Sequence, residues 1–67
     1  MLFKMNQYKY NLIVNSIIFN EHKQEKEVFD MLVKGHTTKE IGNELGMCIR
    51  TVYRRKNELK KKIESLF

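Results

Sequence analysis

The 67-residue sequence contains no proline, three glycines and one cysteine. With so few of the residues that interrupt helices, the chain is expected to be all-helical with short connections. The single cysteine, Cys48, excludes a disulfide within the chain. The hydrophobic core of a 67-residue chain without a disulfide is only marginally stable alone, so a homodimer is a reasonable expectation.

Long apolar runs and catalytic motifs are absent as well. No segment has the roughly 18 continuous apolar residues of a membrane helix, and polar residues interrupt the apolar N-terminus in a way unlike a signal peptide. We therefore expect a cytoplasmic protein without membrane contact. Because the chain lacks a phosphate-binding glycine loop, a nucleophile beside a base and metal-ligand spacing, we expect no enzyme activity, cofactor, metal or small-molecule ligand.

The positive charge is concentrated near the C-terminus. Seven basic residues and one acidic residue lie within 48–62, whereas the rest of the chain holds six lysines and seven acids. Cations near a helix C-terminus are favourable in any protein, which accounts for 60–62. The dipole disfavours Arg50, Arg54 and Arg55 in the first two turns, so these arginines indicate a surface that binds a polyanion.

Residues 49–65 are predicted to form one amphipathic helix. Helical spacing places a row of apolar residues on one face, together with the alkyl stem of Lys56: Ile49, Val52, Leu59, Ile63 and Leu66. Polar residues occupy the opposite face: Arg50, Arg54, Asn57 and Lys61. Such a helix is typical of those that enter a DNA major groove. Glu58 is expected to pair with Arg54 and Lys62 at helical spacing.

Two shorter helices are predicted before it, over about 21–34 and 38–45. Asn20 is expected to cap the first, and Gly35 to end it. Its buried side chains would be Val28, Phe29, Leu32 and Val33. A Thr37–Glu40 capping box starts the second helix, and Gly46 ends it. A short helix joined by a glycine turn to a longer basic one predicts a helix-turn-helix, and the charge placement favours it over a plain three-helix bundle.

The apolar segment 1–20 is predicted to form an extra helix over about 3–19, although its β-branched and aromatic residues leave a strand as the alternative. One predicted face would pack on the domain: Phe3, Tyr10, Ile13, Val14, Ile17 and Ile18. The other face is predicted to meet a second subunit or another partner: Met5, Tyr8, Leu12 and Phe19.

Residues 25–63 resemble the LuxR/GerE-type helix-turn-helix, whose middle portion is shared with sigma-factor region 4. The matching positions are Glu27, Val28, Thr38, Lys39, Glu40, Ile41, Leu45, Met47, Thr51 and Val52. The resemblance implies that 21–67 is the DNA-binding domain of a transcription regulator that binds duplex DNA, often as a dimer. It also implies DNA-facing positions: Thr51, Tyr53, Arg54, Arg55 and Asn57 on the recognition helix, with Thr38 and Lys39 opening the helix that crosses the phosphate backbone.

The sequence departs from the family pattern in several places. Cys48 stands where Ser or Thr usually caps the recognition helix, and Gly42 replaces the usual alanine. We also expect that the family's fourth helix has no counterpart here, and that 1–20 replaces it as core support and dimer surface. Cys48 itself is expected to be a small buried residue, with a redox sensor as the alternative.

We expect Arg50 and Arg54 to reach base edges, or else phosphates only, and Lys61 to add diffuse electrostatic attraction. Tyr53 is expected either to touch a phosphate or to pack against the preceding helix. The alternative function is a protein-interaction module that docks on RNA polymerase or another regulator through the N-terminal segment. The richness in Lys, Asn and Ile suggests an AT-rich bacterial or phage genome.

Overall fold

Four α-helices and one 3-10 turn make up the fold in the computed structural model, which describes residues 3–66. In chain order they are α1 (Gln7–Ser16), the 3-10 turn (Glu21–Lys23), α2 (Glu25–Val33), α3 (Thr38–Leu45) and α4 (Ile49–Glu64). No strand occurs within 3–66, so the all-α prediction with a helix-turn-helix core and an extra N-terminal helix is confirmed. Within the same residues, no helix combines the length and hydrophobicity needed to span a bilayer.

The helix-turn-helix pair, α3 and α4, begins and ends close to the predicted residues. The Thr37 amide donates to the Glu40 carboxylate at 2.8 Å, and the Glu40 amide donates to the Thr37 hydroxyl at 3.2 Å. These bonds satisfy amide groups that the first helical turn leaves without partners. Gly46 ends α3 in the left-handed conformation, with φ 69°. The capping box and the glycine stop are therefore confirmed.

The helix predicted over 21–34 is shorter than expected, because its first four residues are not α-helical. Asn20 caps the 3-10 turn instead, accepting a hydrogen bond from the Lys23 amide at 3.2 Å. Gln24 then adopts a left-handed conformation, with φ 53°, and α2 starts at Glu25. This detour turns the Glu25 side chain inward, where its carboxylate accepts the Asn20 amide at 2.7 Å.

The N-terminal helix is also shorter than predicted, because the chain is extended on both sides of α1. Asn6 caps α1 through a hydrogen bond from the Lys9 amide at 2.9 Å, and Ile17 is already extended. Since the flanking residues do not follow helical periodicity, the two predicted faces are partly wrong. Met5 and Phe19 lie against the core of their own chain, whereas Ile18 is 90% exposed.

One hydrophobic core joins the N-terminal segment to the helix-turn-helix. Its buried members are Phe3, Ile13, Val28, Phe29, Leu32, Ile41, Val52, Leu59 and Ile63. The ring of Tyr10 stacks on Phe29 at 5.5 Å. The Tyr10 hydroxyl also donates to Asp30, and the Lys26 ammonium lies 2.9 Å from that hydroxyl and 2.8 Å from Asp30. α1 is thus fixed to α2 by both apolar and polar contacts.

Candidate nucleic-acid interface

The inner face of α4 holds the helix against the rest of the domain. Val52, Leu59 and Ile63 are completely buried, and each full burial of such a side chain stabilises the fold by roughly 1.5–3 kcal/mol. The two ends of the predicted apolar row differ from expectation. Ile49 and Leu66 are 48% and 39% exposed, because one opens the helix and the other follows its last turn.

The outer face of α4 carries the side chains that helical spacing predicted there. All four are exposed: Arg50, Arg54, Asn57 and Lys61. None of their side chains forms an ion pair with another residue of the described chain. Three cations and an amide therefore point away from the core with their donors available to a ligand.

Another predicted recognition residue, Arg55, does not belong to this outer face. Its side chain is only 16% exposed, and its Nη1 lies 3.7 Å from the Glu58 carboxylate. Glu58 in turn lies 3.8 Å from the ammonium of Lys23 in the 3-10 turn. The predicted pairing of Glu58 with Arg54 and Lys62 is wrong, because Lys23 and Arg55 meet it on the flank of α4.

Lys62 lies on the same flank and is also engaged within the fold. Its ammonium donates to the Glu25 carboxylate at 2.6 Å and to the Ile18 carbonyl at 3.2 Å. Glu25 is only 1% exposed. Burial alone would raise the pKa of Glu25, but hydrogen bonds from Lys62 and the Asn20 amide lower it below its ordinary value of 4.5. The buried pair ties the N-terminal segment to the end of α4.

The turn between α3 and α4 brings Cys48 to the surface, so the prediction of a buried cysteine is wrong. Cys48 precedes α4 but provides no side-chain cap for it. Its sulfur lies 3.1 Å from the hydroxyl of Thr51, and this hydrogen bond lowers the pKa of the thiol. Thr51 is half-buried and partnered locally. Within 3–66, no three His, Cys, Asp or Glu side chains are grouped closely enough to hold a metal.

Gly42 accounts for a second departure from the expected pattern. A Cβ atom at this position would lie 2.6 Å from the carbonyl oxygen of Met47, which is a backbone atom. The Met47 amide also donates to the Gly42 carbonyl at 2.9 Å. The turn therefore brings its backbone so close to α3 that only glycine fits without a shift.

The remaining predicted contact residues lie on two separate surfaces. Lys39 is exposed and Thr38 half-buried at the start of α3, and Tyr53 is 51% exposed on α4, beside the α3 start. Tyr8 and Leu12 are exposed on α1, at 78% and 42%. The structure thus brings the DNA set together around α3 and α4, with Arg55 turned aside. Only Tyr8 and Leu12 remain exposed from the predicted partner set.

Comparison with known protein families identifies a regulatory family. The family model described as "GerE: Bacterial regulatory proteins, luxR family" matches residues 23–65, which include the 3-10 turn's last residue and all of α2, α3 and α4. No match was found among curated proteins, and none among solved structures. Glu25 lies inside the matched region, and no sequence pattern predicted that its carboxylate is buried. Its partner Lys62 lies 37 residues away, beyond the reach of any local pattern.

Proposed function

The chain belongs to the luxR family of bacterial regulatory proteins, and we propose that it reads double-stranded DNA by placing the outer face of α4 in the major groove. The family match supports a DNA-binding transcription regulator. The observation that carries the finer proposal is the unpaired arginine face of α4, where Arg50 and Arg54 are exposed with no acidic partner in 3–66. A DNA-binding role also agrees with the expected cytoplasmic location.

The chemistry of this face suits base reading. Arginine can bond guanine O6 and N7 with two donors, and each such contact discriminates by roughly 1–3 kcal/mol. Arg50 and Arg54 lie one turn apart, so they would reach neighbouring base pairs. Asn57 continues the same row with an amide that suits adenine. Lys61, Thr38 and Lys39 would contact phosphates, which orient the protein but carry no sequence information.

Adjacent arginines provide a matched test of this proposal. Arg54→Gln removes a cation from the outer face of α4. Arg55→Gln removes the same charge from the flank, where Arg55 is paired with Glu58. We expect Arg54→Gln, and equally Arg50→Gln, to weaken binding to a selected duplex by roughly 5- to 150-fold, which corresponds to 1–3 kcal/mol. Arg55→Gln should change affinity much less.

Duplex affinity is measured by fluorescence anisotropy at two or more salt concentrations, with urea unfolding as the folding control. Equal losses for Arg54→Gln and Arg55→Gln in folded proteins would contradict the assignment of the outer face. No duplex binding at low salt would contradict DNA binding, and salt-insensitive binding would contradict the basic face of α4 as the binding surface.

We further propose that the protein is a homodimer whose contact includes exposed apolar side chains of the N-terminal segment. Tyr8 and Leu12 lie on α1 with large exposed fractions, and Ile18 follows at 90%. A 67-residue domain gains stability from a partner that covers such surface. A docking site for RNA polymerase or another regulator is the alternative use of the same residues.

Light scattering after size exclusion separates these two uses. The wild type should elute as a dimer, and Leu12→Ser combined with Ile18→Ser should give a folded monomer. A wild-type monomer that binds DNA would contradict the dimer and favour a partner protein for this surface.

A further inference from the structure

The two flanks of α4 differ in whether their cations form ion pairs within the domain. On one flank, Arg55 and Lys62 are paired with Glu58 and Glu25. On the other, Lys56 forms no ion pair within residues 3–66. An α-helix with its side chains is about 10–12 Å wide, and the major groove is about 12 Å wide. A helix seated there presents its two flanks to the two phosphate backbones, so this asymmetry matters for DNA binding.

The unpaired flank contains a cleft of about 260 Å³ between α4 and the link from α2 to α3. Polar groups from both sides line it: Tyr53 and Lys56 from α4, with His36, Thr37 and Thr38 from the link and the start of α3. Phe3 and Leu32 also line it, and Lys56 is half-buried. An alkyl stem held along such apolar surface leaves the ammonium at the rim.

We propose that this cleft, here called the Lys56 cleft, seats one phosphate of the DNA backbone. Lys56 supplies the charge, and the hydroxyls of Tyr53 and Thr38 supply neutral donors. The Thr37 hydroxyl is already used, because it accepts the Glu40 amide. This proposal rests on the proposed function and adds one named phosphate contact to it. One DNA backbone is bound beside the start of α3, and the other faces the flank of α4 whose cations are paired with acids.

Glu40 lies two residues after Thr38, close in sequence to this cleft, and an acid here would oppose a phosphate. Its carboxylate is occupied by the Thr37 amide at 2.8 Å and lies 3.9 Å from His36 Nδ1. It lines a neighbouring depression with Met31 and Asn43, and it is not among the residues that line the Lys56 cleft. Among the described residues that line the cleft, Lys56 is therefore the one with a permanent charge.

The test compares Lys56→Gln with Lys34→Gln, which removes the same charge from an exposed lysine facing a different depression beside Met5 and Asn6. Duplex affinity of each full-length variant is measured across a salt series. Loss of one phosphate contact should reduce the slope of log K against log salt by about 0.9. It should also weaken binding by the same factor on a selected and on a random duplex. Lys34→Gln should leave the slope unchanged.

Duplexes with a single uncharged methylphosphonate locate the contact. One such position should weaken binding by the wild type much more than binding by Lys56→Gln, which keeps only the neutral donors. Lys56→Arg should keep the wild-type salt slope. Tyr53→Phe should weaken binding but leave the salt slope unchanged. These variants keep the test decisive if Lys56→Gln loses stability in urea.

The salt series distinguishes failure of the Lys56 cleft from failure of DNA binding. If the wild type binds duplexes with a normal salt slope and folded Lys56→Gln has the same slope, the Lys56 cleft is overturned while DNA binding stands. If the wild type shows no salt-dependent duplex binding, the proposed function fails, and the cleft proposal fails with it.

Discussion

Glu25 shows, at the scale of a single residue, how the fold holds the basic helix. Its buried carboxylate accepts hydrogen bonds from the Lys62 ammonium at 2.6 Å and from the Asn20 amide at 2.7 Å. A buried carboxylate is tolerated only with such partners, because desolvation of an unpaired charge is expensive. Its removal should therefore affect stability much more than the removal of an exposed acid on the same helix.

The pH dependence of stability follows from the lowered pKa of Glu25. The carboxylate stabilises the folded state above its ordinary, unfolded pKa of 4.5, and this contribution is lost as the pH falls through the lower folded pKa. We expect Glu25→Gln to reduce the free energy of unfolding by roughly 2 kcal/mol at pH 7, with a difference that shrinks in acid.

Urea unfolding from pH 3 to pH 7 measures this difference, with the exposed Glu27→Gln on the same helix as control. A gap between the wild type and Glu25→Gln that stayed constant over the whole pH range would contradict the assignment.

Cys48 gives a second prediction at the residue scale. The Thr51 hydroxyl lowers the pKa of its exposed thiol, so more thiolate is present near neutral pH. Thr51→Val removes that donor while keeping the shape of the side chain. We expect slower alkylation by iodoacetamide at pH 7.5 and equal rates at high pH, where both thiols are ionised. The same ratio of rates at both pH values would point to altered access instead.

At the scale of elements, local chemistry made α3 and α4 predictable. The Thr37–Glu40 box and Gly46 act within four residues, and a pattern of neighbours reveals them. The start of α2 was predicted wrongly because Gln24 adopts a positive φ, and the sequence has no glycine there to indicate it. The Lys62–Glu25 pair joins residues distant in sequence, and the inward position of Arg55 depends on Glu58 and Lys23 together.

The α3–α4 turn allows a direct test of backbone closeness. Alanine at position 42 would improve helix propensity by up to about 1 kcal/mol, yet its Cβ would meet the Met47 carbonyl at 2.6 Å. Because overpacking typically destabilises by 1–3 kcal/mol, we expect Gly42→Ala to lower the free energy of unfolding by roughly 1 kcal/mol. Thermal or urea unfolding measures it. A Gly42→Ala protein more stable than the wild type would show that the backbone of the turn shifts at little cost.

At the scale of the whole molecule, the N-terminal segment is part of the core. Ile13 is completely buried while its neighbour Leu12 is 42% exposed, so the pair separates core support from surface contact. We expect Ile13→Ala to lower stability by roughly 2–5 kcal/mol, enough to unfold much of a domain this small. Leu12→Ala should change stability little at protein concentrations low enough to keep the chain monomeric. Similar losses for both, by circular dichroism during urea unfolding, would contradict this placement of α1.

The proposed function requires that the outer face of α4 reads base sequence. Selection of bound duplexes from a random pool tests this claim most directly, since electrostatic attraction alone enriches no motif. We predict an enriched motif that is two-fold symmetric if the protein binds as a dimer, and that loses definition at the base pairs read by Arg50 and Arg54 when either becomes Gln. A pool that stays random after repeated rounds, despite measurable binding at low salt, would contradict sequence reading and leave α4 as a general electrostatic surface.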